Sequence, residues 1–264
     1  MHHLFALRFG SYLGMFAFLL FLERLAPFAE PEQRKPFRVF LHLGLSLMNS
    51  VVLYALMAWP IYLTLSFARS NEIGLAPFLG LTGWVEIALT VIAFDFWDYW
   101  MHRANHKVGF LWRFHKAHHT DMELDVTTAS RFHIGELLIS NCVKCLVILA
   151  WGPSFWGLVC FDVLMNGSSQ FHHGNIKIPL GTQDVLEKII VSPRMHRCHH
   201  ALHHSCTNTN FSTILSIWDR IARSYHWTGD LSELAPLGVP MPRGPSTMQL
   251  KPILLTPFER NLNS

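Results

Sequence analysis

Charge is scarce in this chain. Only 15% of its 264 residues are Asp, Glu, Lys or Arg, while 50% are hydrophobic. Soluble domains carry about 25% charged residues, so the composition argues against a soluble globule. The net charge of +3 is small, and no basic stripe interleaved with aromatics is present, which removes the case for nucleic acid as a partner. Cysteine is also sparse. The five residues Cys142, Cys145, Cys160, Cys198 and Cys206 make an odd count without paired zinc-finger spacing. Cys142 and Cys145 form a C-x-x-C, but inside an apolar segment, so all five read as small packing residues. The N-terminal apolar run ends at Leu22-Glu23-Arg24, with no small-residue cleavage site, and does not read as a removed signal. No glycine-rich dinucleotide fingerprint is visible.

Long apolar runs stand where the charges are missing. Phe5–Leu22 is apolar apart from Arg8, Phe40–Phe67 has no formal charge, and Phe78–Trp100 is interrupted only by Glu86, Asp95 and Asp98. A bilayer needs about 20 apolar residues per helix, and Pro60 is tolerated in such a helix. Arg24, Arg34, Lys35 and Arg38 join the first two runs, which places that loop in the cytoplasm. The third run then returns to the cytoplasmic side, where Arg103, Lys107, Arg113 and Lys116 follow it. A fourth region, about 134–165, has histidines at both ends. It reads as a helical hairpin turning at Trp151-Gly152-Pro153-Ser154, because Gly and Pro break the helix there. The expected fold is therefore all-α: a multi-pass membrane helical bundle of three spans plus a hairpin, with a cytoplasmic histidine-rich metal-binding cap. Residues 1–77 are N-terminal transmembrane helices, 78–227 the histidine domain, and 228–264 an irregular Pro-rich tail. Trp97, Trp100 and Trp112 fit an interfacial aromatic belt. Asp184–Val191 and Asn210–Arg223 carry helical apolar spacing, and Ser192-Pro193 is placed to start a helix.

Seventeen histidines are clumped rather than scattered. His102 and His106 are one helical turn apart, and His115, His118 and His119 stand at i, i+3 and i+4. The pattern returns as His196, His199 and His200, with the pair His172-His173 between. A face of imidazoles is unfavourable without a partner, since protonated rings repel and buried nitrogens need satisfying. A metal ion answers both needs. The clusters offer nine or ten nitrogens, with His133, His203 and His204 in reserve, and that number suits two metals rather than one tetrahedral ion. Imidazole alone does not choose between iron, zinc, copper and nickel. His2, His3, His42 and His226 receive no role.

Five blocks carry a resemblance. They are Asp95-Phe-Trp-Asp98-Tyr-Trp-Met-His102-Arg-Ala-Asn-His106, His115-Lys-Ala-His118-His119, Thr128-Ala-Ser-Arg131-Phe-His133-Ile-Gly-Glu136, Gln170-Phe-His172-His173-Gly-Asn175, and Ser192-Pro193-Arg-Met-His196-Arg-Cys-His199-His200. Together with the closing Asn210-Phe211 and Ser216-Ile-Trp218-Asp219-Arg220, they resemble the fatty acid hydroxylase/sterol desaturase superfamily of membrane di-iron oxygenases. The resemblance implies two iron ions that use O2 on an unactivated C–H bond of a lipid. It also implies two electrons from a separate donor, a ferredoxin or a b-type cytochrome with its reductase. Its metal set is His102, His106, His115, His118, His119, His133, His172, His173, His196, His199 and His200. The chain departs from it at Ser168 and Ser169, where some hydroxylases carry a further histidine, and at Ile134-Gly135, where sterol-type members carry proline and a branched residue.

Asp98, Glu136, Asn175 and Asp219 are placed to accept the free imidazole N–H groups and fix the rings. The expected setting is an integral membrane protein of a bacterial inner membrane or the endoplasmic reticulum. Two other classes compete. A metal transporter wants ligands along a path near the bilayer midplane, and a membrane haem protein wants single histidines facing across spans. Neither wants adjacent doublets at span ends.

Overall fold

The structure is a computed structural model that describes residues 2–30, 35–229, 234–239 and 249–259. It is all-helical, with isolated β-bridges and no strand among the described residues. Arg34 lies outside the described residues. In chain order the helices are α1 (His2–Leu25), α2 (Lys35–Ser70), α3 (Leu75–Phe78), α4 (Gly83–Lys107), α5 (Gly109–His119), α6 (Ile134–Trp151), α7 (Phe155–His173), α8 (Leu180–Leu186), α9 (Pro193–His200), α10 (Ile217–Ile221) and α11 (Leu250–Leu255). Two stretches, Pro36–Phe78 and Ile134–Trp151, are long and apolar enough to cross a membrane. Only 22% and 11% of their most apolar windows are buried, which is unlike the core helices of a soluble domain. Phe18, Phe40, Leu47, Tyr54, Trp59, Phe78, Trp84, Leu146 and Trp156 are all exposed on these helices and their neighbours.

α6 and α7 meet at Gly152, which takes a left-handed conformation (φ 71°, ψ 53°) and ends α6. Ser154 then caps α7 by accepting from the Gly157 N–H. Backbones approach closely here: a Cβ at Gly74 would lie 2.4 Å from the Gly152 nitrogen, so only glycine fits. The charges inside the apolar runs are paired. Glu86 accepts from Thr90 Oγ1 (2.6 Å) and from the Ser154 N–H (2.7 Å), tying the start of α4 to the hairpin turn. Lys144 on α6 and Asp162 on α7 form an ion pair. Leu65, Ala68, Phe94, Ile148, Leu158, Phe161 and Ile214 make the core that joins α2, α4, α6 and α7.

Three expectations change. The run from Phe78 does not become one helix: α4 begins at Gly83, after Gly80 and Gly83 both adopt positive φ. The stretch Asn210–Arg223 is helical only over Ile217–Ile221. The N–H groups of Phe211 and Ser212 are taken by Asp219, and those of Ile214 and Leu215 by Asp95, so they are held in a loop. The tail carries a short helix, α11, whose Ile253 packs with Leu41, Leu45 and Ala117.

Candidate metal centre

Four helix ends deliver the histidines. The C-terminal end of α4 carries His102 and His106, α5 carries His115, His118 and His119, α7 ends on His172 and His173, and α9 holds His196, His199 and His200. Ser192 starts α9 by accepting from the Met195 N–H, with Pro193 in the first turn. All but His102 and His106 are buried; those two are half-buried.

The rings sort into two adjoining groups. His102, His106, His115, His119 and His199 bring one nitrogen each within 4.8 Å of one another, and so do His118, His173, His196 and His200. The adjacent doublets divide between them. His119 joins the first group and His118 the second, while His199 joins the first and His200 the second. His119 and His200 stack across the boundary, with centroids 4.2 Å apart. The three imidazoles of α5 therefore do not serve one site: the i, i+4 pair faces one group and the i+3 ring the other.

Both groups fit a metal ion. In the first, Nε2 of all five rings is buried without a hydrogen-bond partner. Five such orphans converging on one point leave a pocket of lone pairs that a cation satisfies. In the second, Nε2 of His173 lies 3.1 Å from that of His118 and 2.9 Å from that of His196, and His196 lies 3.1 Å from His200. Each such nitrogen has a single hydrogen or a single lone pair, so His173 and His196 cannot satisfy two neighbours each. Imidazoles held at about 2.1 Å on adjacent positions of one ion stand about 3.0 Å apart, which matches this spacing. Burial, reinforced by the neighbouring imidazoles, pushes His118, His119, His196 and His200 well below the ordinary histidine value. Burial likewise brings His173 to about 4 and His199 to about 3. These six rings are neutral at pH 7, as a metal ligand must be.

The far nitrogens fix most of the rings. Nδ1 of His102 donates to the Phe211 carbonyl (2.7 Å), His199 to Thr209 (2.7 Å), His118 to Arg131 (3.1 Å) and His173 to Ser169 (2.6 Å). His115 Nδ1 lies 2.7 Å from Glu136 Oε1, which also accepts from Asn105 (3.2 Å). Phe132 stacks on His118 at 4.4 Å, and Phe211 and Trp112 wall the first group. His196 and His200 have buried Nδ1 atoms without partners and are held by ring packing.

Of the carboxylates and amides expected to orient imidazoles, Glu136 touches one. Asp98 meets the Thr213 hydroxyl. Asn175 binds the backbone of Ala29 and the Arg197 guanidinium. Asp219 works one step removed: it takes the Phe211 N–H and thereby places the carbonyl that receives His102. The carbonyls of Ser169, Thr209 and Phe211 left no signal in the sequence, since any residue supplies one. His172 lies in neither group; its Nδ1 reaches the Thr213 carbonyl (3.2 Å). His133 is also apart, capping α6 through the Gly135 N–H and meeting the Leu254 carbonyl. His203 pairs with Ser205, and His204 is exposed. The cysteine reading needs correction. Cys198 and Cys206, both fully buried, are joined in a disulfide that closes the loop after α9. Their spacing fits no recognised pattern, so the sequence carried no sign of it.

Comparison with known proteins gives a consistent picture. Alkylglycerol monooxygenase from Homo sapiens is 32% identical over 129 residues, 48% of this chain and 27% of that protein. The ornithine lipid hydroxylase OlsE from Rhizobium tropici is 24% identical over 220 residues, 81% of this chain and 66% of its own length. The Xenopus tropicalis alkylglycerol monooxygenase is 32% identical over 50% of this chain and 29% of its own. The chain thus spans about a quarter to two thirds of the relatives it matches. No solved structure matches it. The fatty acid hydroxylase family model matches residues 87–224, more than half of the chain and every histidine of both groups, so the chain belongs to the fatty acid hydroxylase family.

Proposed function

We propose that the chain is a membrane monooxygenase that holds two iron ions and hydroxylates an unactivated C–H bond of a lipid. The observation that carries this reading is the pair of adjoining imidazole groups, with nine buried or half-buried rings aimed inward and five nitrogens left without partners. His102, His106, His115, His119 and His199 would hold one ion, and His118, His173, His196 and His200 the other. Bound iron would supply the activation of O2 that a lipid C–H bond requires. The protein's part is to keep the imidazoles neutral, to orient them through Glu136 and the backbone carbonyls, and to exclude water with Phe132, Phe211 and Trp112. Hydroxylation is favoured over desaturation because the relatives are named monooxygenase and hydroxylase. A lipid substrate suits the exposed apolar faces of α1, α2, α4, α6 and α7. Two electrons come from a separate redox protein.

In the proposed topology of three spans and the α6–α7 hairpin, the histidines lie at the cytoplasmic face. Two signals for this sidedness disagree. The basic loop between α1 and α2 is a cytoplasmic signal, whereas a disulfide belongs to oxidising compartments. Loop charge acts on the whole chain as it inserts, so the cytoplasmic orientation is the one proposed, and the Cys198–Cys206 disulfide is the observation that stands against it. The test is lipid mass spectrometry of cells with and without the protein under oxygen, with His119→Ala as control. The expected product is a lipid heavier by one oxygen atom. No oxidised lipid from protein loaded with both irons and supplied with electrons would refute the proposal.

A further inference from the structure

His42 belongs to no histidine cluster of the sequence, yet it is fully buried on helix α2. We propose that His42 is a positioning residue for His118, acting through Arg131; this rests on the two-iron reading above. The hydrogen bonds fix its tautomer. Thr127 Oγ1 gives its single hydrogen to Asp125 Oδ1 (2.6 Å), so at 2.9 Å from His42 Nδ1 it must accept, and Nδ1 carries the proton. Nε2 is then a lone pair, and it accepts from Arg131 Nη1 at 3.3 Å.

Arg131 is fully buried and grips the end of α5 from two sides of His118. Its Nε donates to the Ala117 carbonyl (3.1 Å) and its Nη2 to Thr120 Oγ1 (2.7 Å), while its own carbonyl receives His118 Nδ1 (3.1 Å). The guanidinium thus holds the residue before the ligand, and the backbone holds the ligand's ring. Removing the Nε2 lone pair takes one acceptor from the buried guanidinium and loosens the clamp. Arg38, four residues before His42, braces the other side by donating to Asp121, Asp125 and Thr128.

Three rings of the first group are oriented outside this network. His102, His115 and His199 are fixed by Phe211, Glu136 and Thr209. A defect at His42 therefore bears most on the second ion, since His118 is the ring that Arg131 itself receives, and less on the first, which it reaches only through His119. The effect is measured on the full chain in detergent, by anaerobic titration with ferrous iron read by iron analysis and Mössbauer spectroscopy. His42→Leu is expected to weaken the second binding step by about tenfold to a hundredfold, the range for residues that orient a metal-bound histidine, and to weaken the first by less. His42→Gln, whose amide oxygen can replace Nε2 as acceptor, is expected to restore the second step. If His42→Leu binds both irons as the native chain does, the proposal fails. It fails equally if both steps are lost together and glutamine restores neither, which is general unfolding. A native chain that takes up a single iron overturns the two-iron reading and this proposal with it, before any variant is made.

Discussion

Glu136 offers the sharpest test of the centre, because its two oxygens have different surroundings. Oε1 accepts from both His115 Nδ1 and Asn105 Nδ2, whereas Oε2 is buried without a partner. Glu136→Ala leaves two buried donors unpaired, at about 1–3 kcal/mol each, so the metal-free chain loses about 2–6 kcal/mol of stability. It also frees the His115 ring, which lowers metal affinity by about tenfold to a hundredfold, or about 1.4–2.8 kcal/mol. Glu136→Gln behaves differently. The amide oxygen can occupy the Oε1 position and the amide nitrogen the Oε2 position, where no donor opposes it. Both hydrogen bonds survive without their charge, and a charged bond is about twice as strong as a neutral one. Glutamine should therefore keep about half the interaction and lose under tenfold in affinity. Anaerobic metal titration together with thermal unfolding of the metal-free chain separates the two effects. Equal damage from alanine and glutamine would show that charge alone matters; native affinity in the alanine variant would show that Glu136 does not orient His115 at all.

Further consequences follow from the same geometry. His119→Ala should abolish one metal-binding step, whereas His172→Ala should keep both, since His172 lies outside both groups; metal content of the purified variants decides. The metal-free chain should weaken in acid: His173 and His199 titrate at about 4 and about 3 when folded, against about 6.5 unfolded. Below pH 6.5 the unfolded chain binds more protons, so stability is full above that pH. It falls by about 1.4 kcal/mol per pH unit for each ring, until their folded values are reached. Urea unfolding at several pH values reads this slope, and a flat profile would mean the rings are not buried neutral. Asp219→Ala should lower the unfolding temperature and loosen the first metal site together, because Asp219 holds the Phe211 and Ser212 N–H groups. Thiol labelling of cells after unfolding should find Cys198 and Cys206 reduced if the centre faces the cytoplasm, and bonded if it faces outward.

The sequence made helices and clusters legible where the signal is local. Gly152 and Pro153 interrupt an apolar run, and the structure turns there. His196, His199 and His200 share a short helix because Ser192 and Pro193 start it. What was not legible depends on partners distant in the chain. Apolar spacing over 210–223 looks helical, but Asp95, more than a hundred residues away, captures the Ile214 and Leu215 N–H groups and holds a loop instead. His42 looked idle because it stands outside every histidine cluster; its partners Thr127 and Arg131 lie far along the chain, before α6. His133 stood in the ligand set that the resemblance implied, yet the first turn of α6 uses its ring as a cap.

The division of the doublets explains why the pattern needs adjacent histidines at all. On a helix, neighbours project about 100° apart, so a pair such as His118-His119 cannot face one ion. It can face two ions on either side of the helix edge. His199-His200 repeats this on α9, and the two doublets interleave, with His119 beside both His199 and His200. α5 and α9 thereby each contribute to both groups, and neither group can form unless they are docked together. Two imidazole groups built this way assemble as one unit, which is the arrangement the proposed two-iron reaction requires.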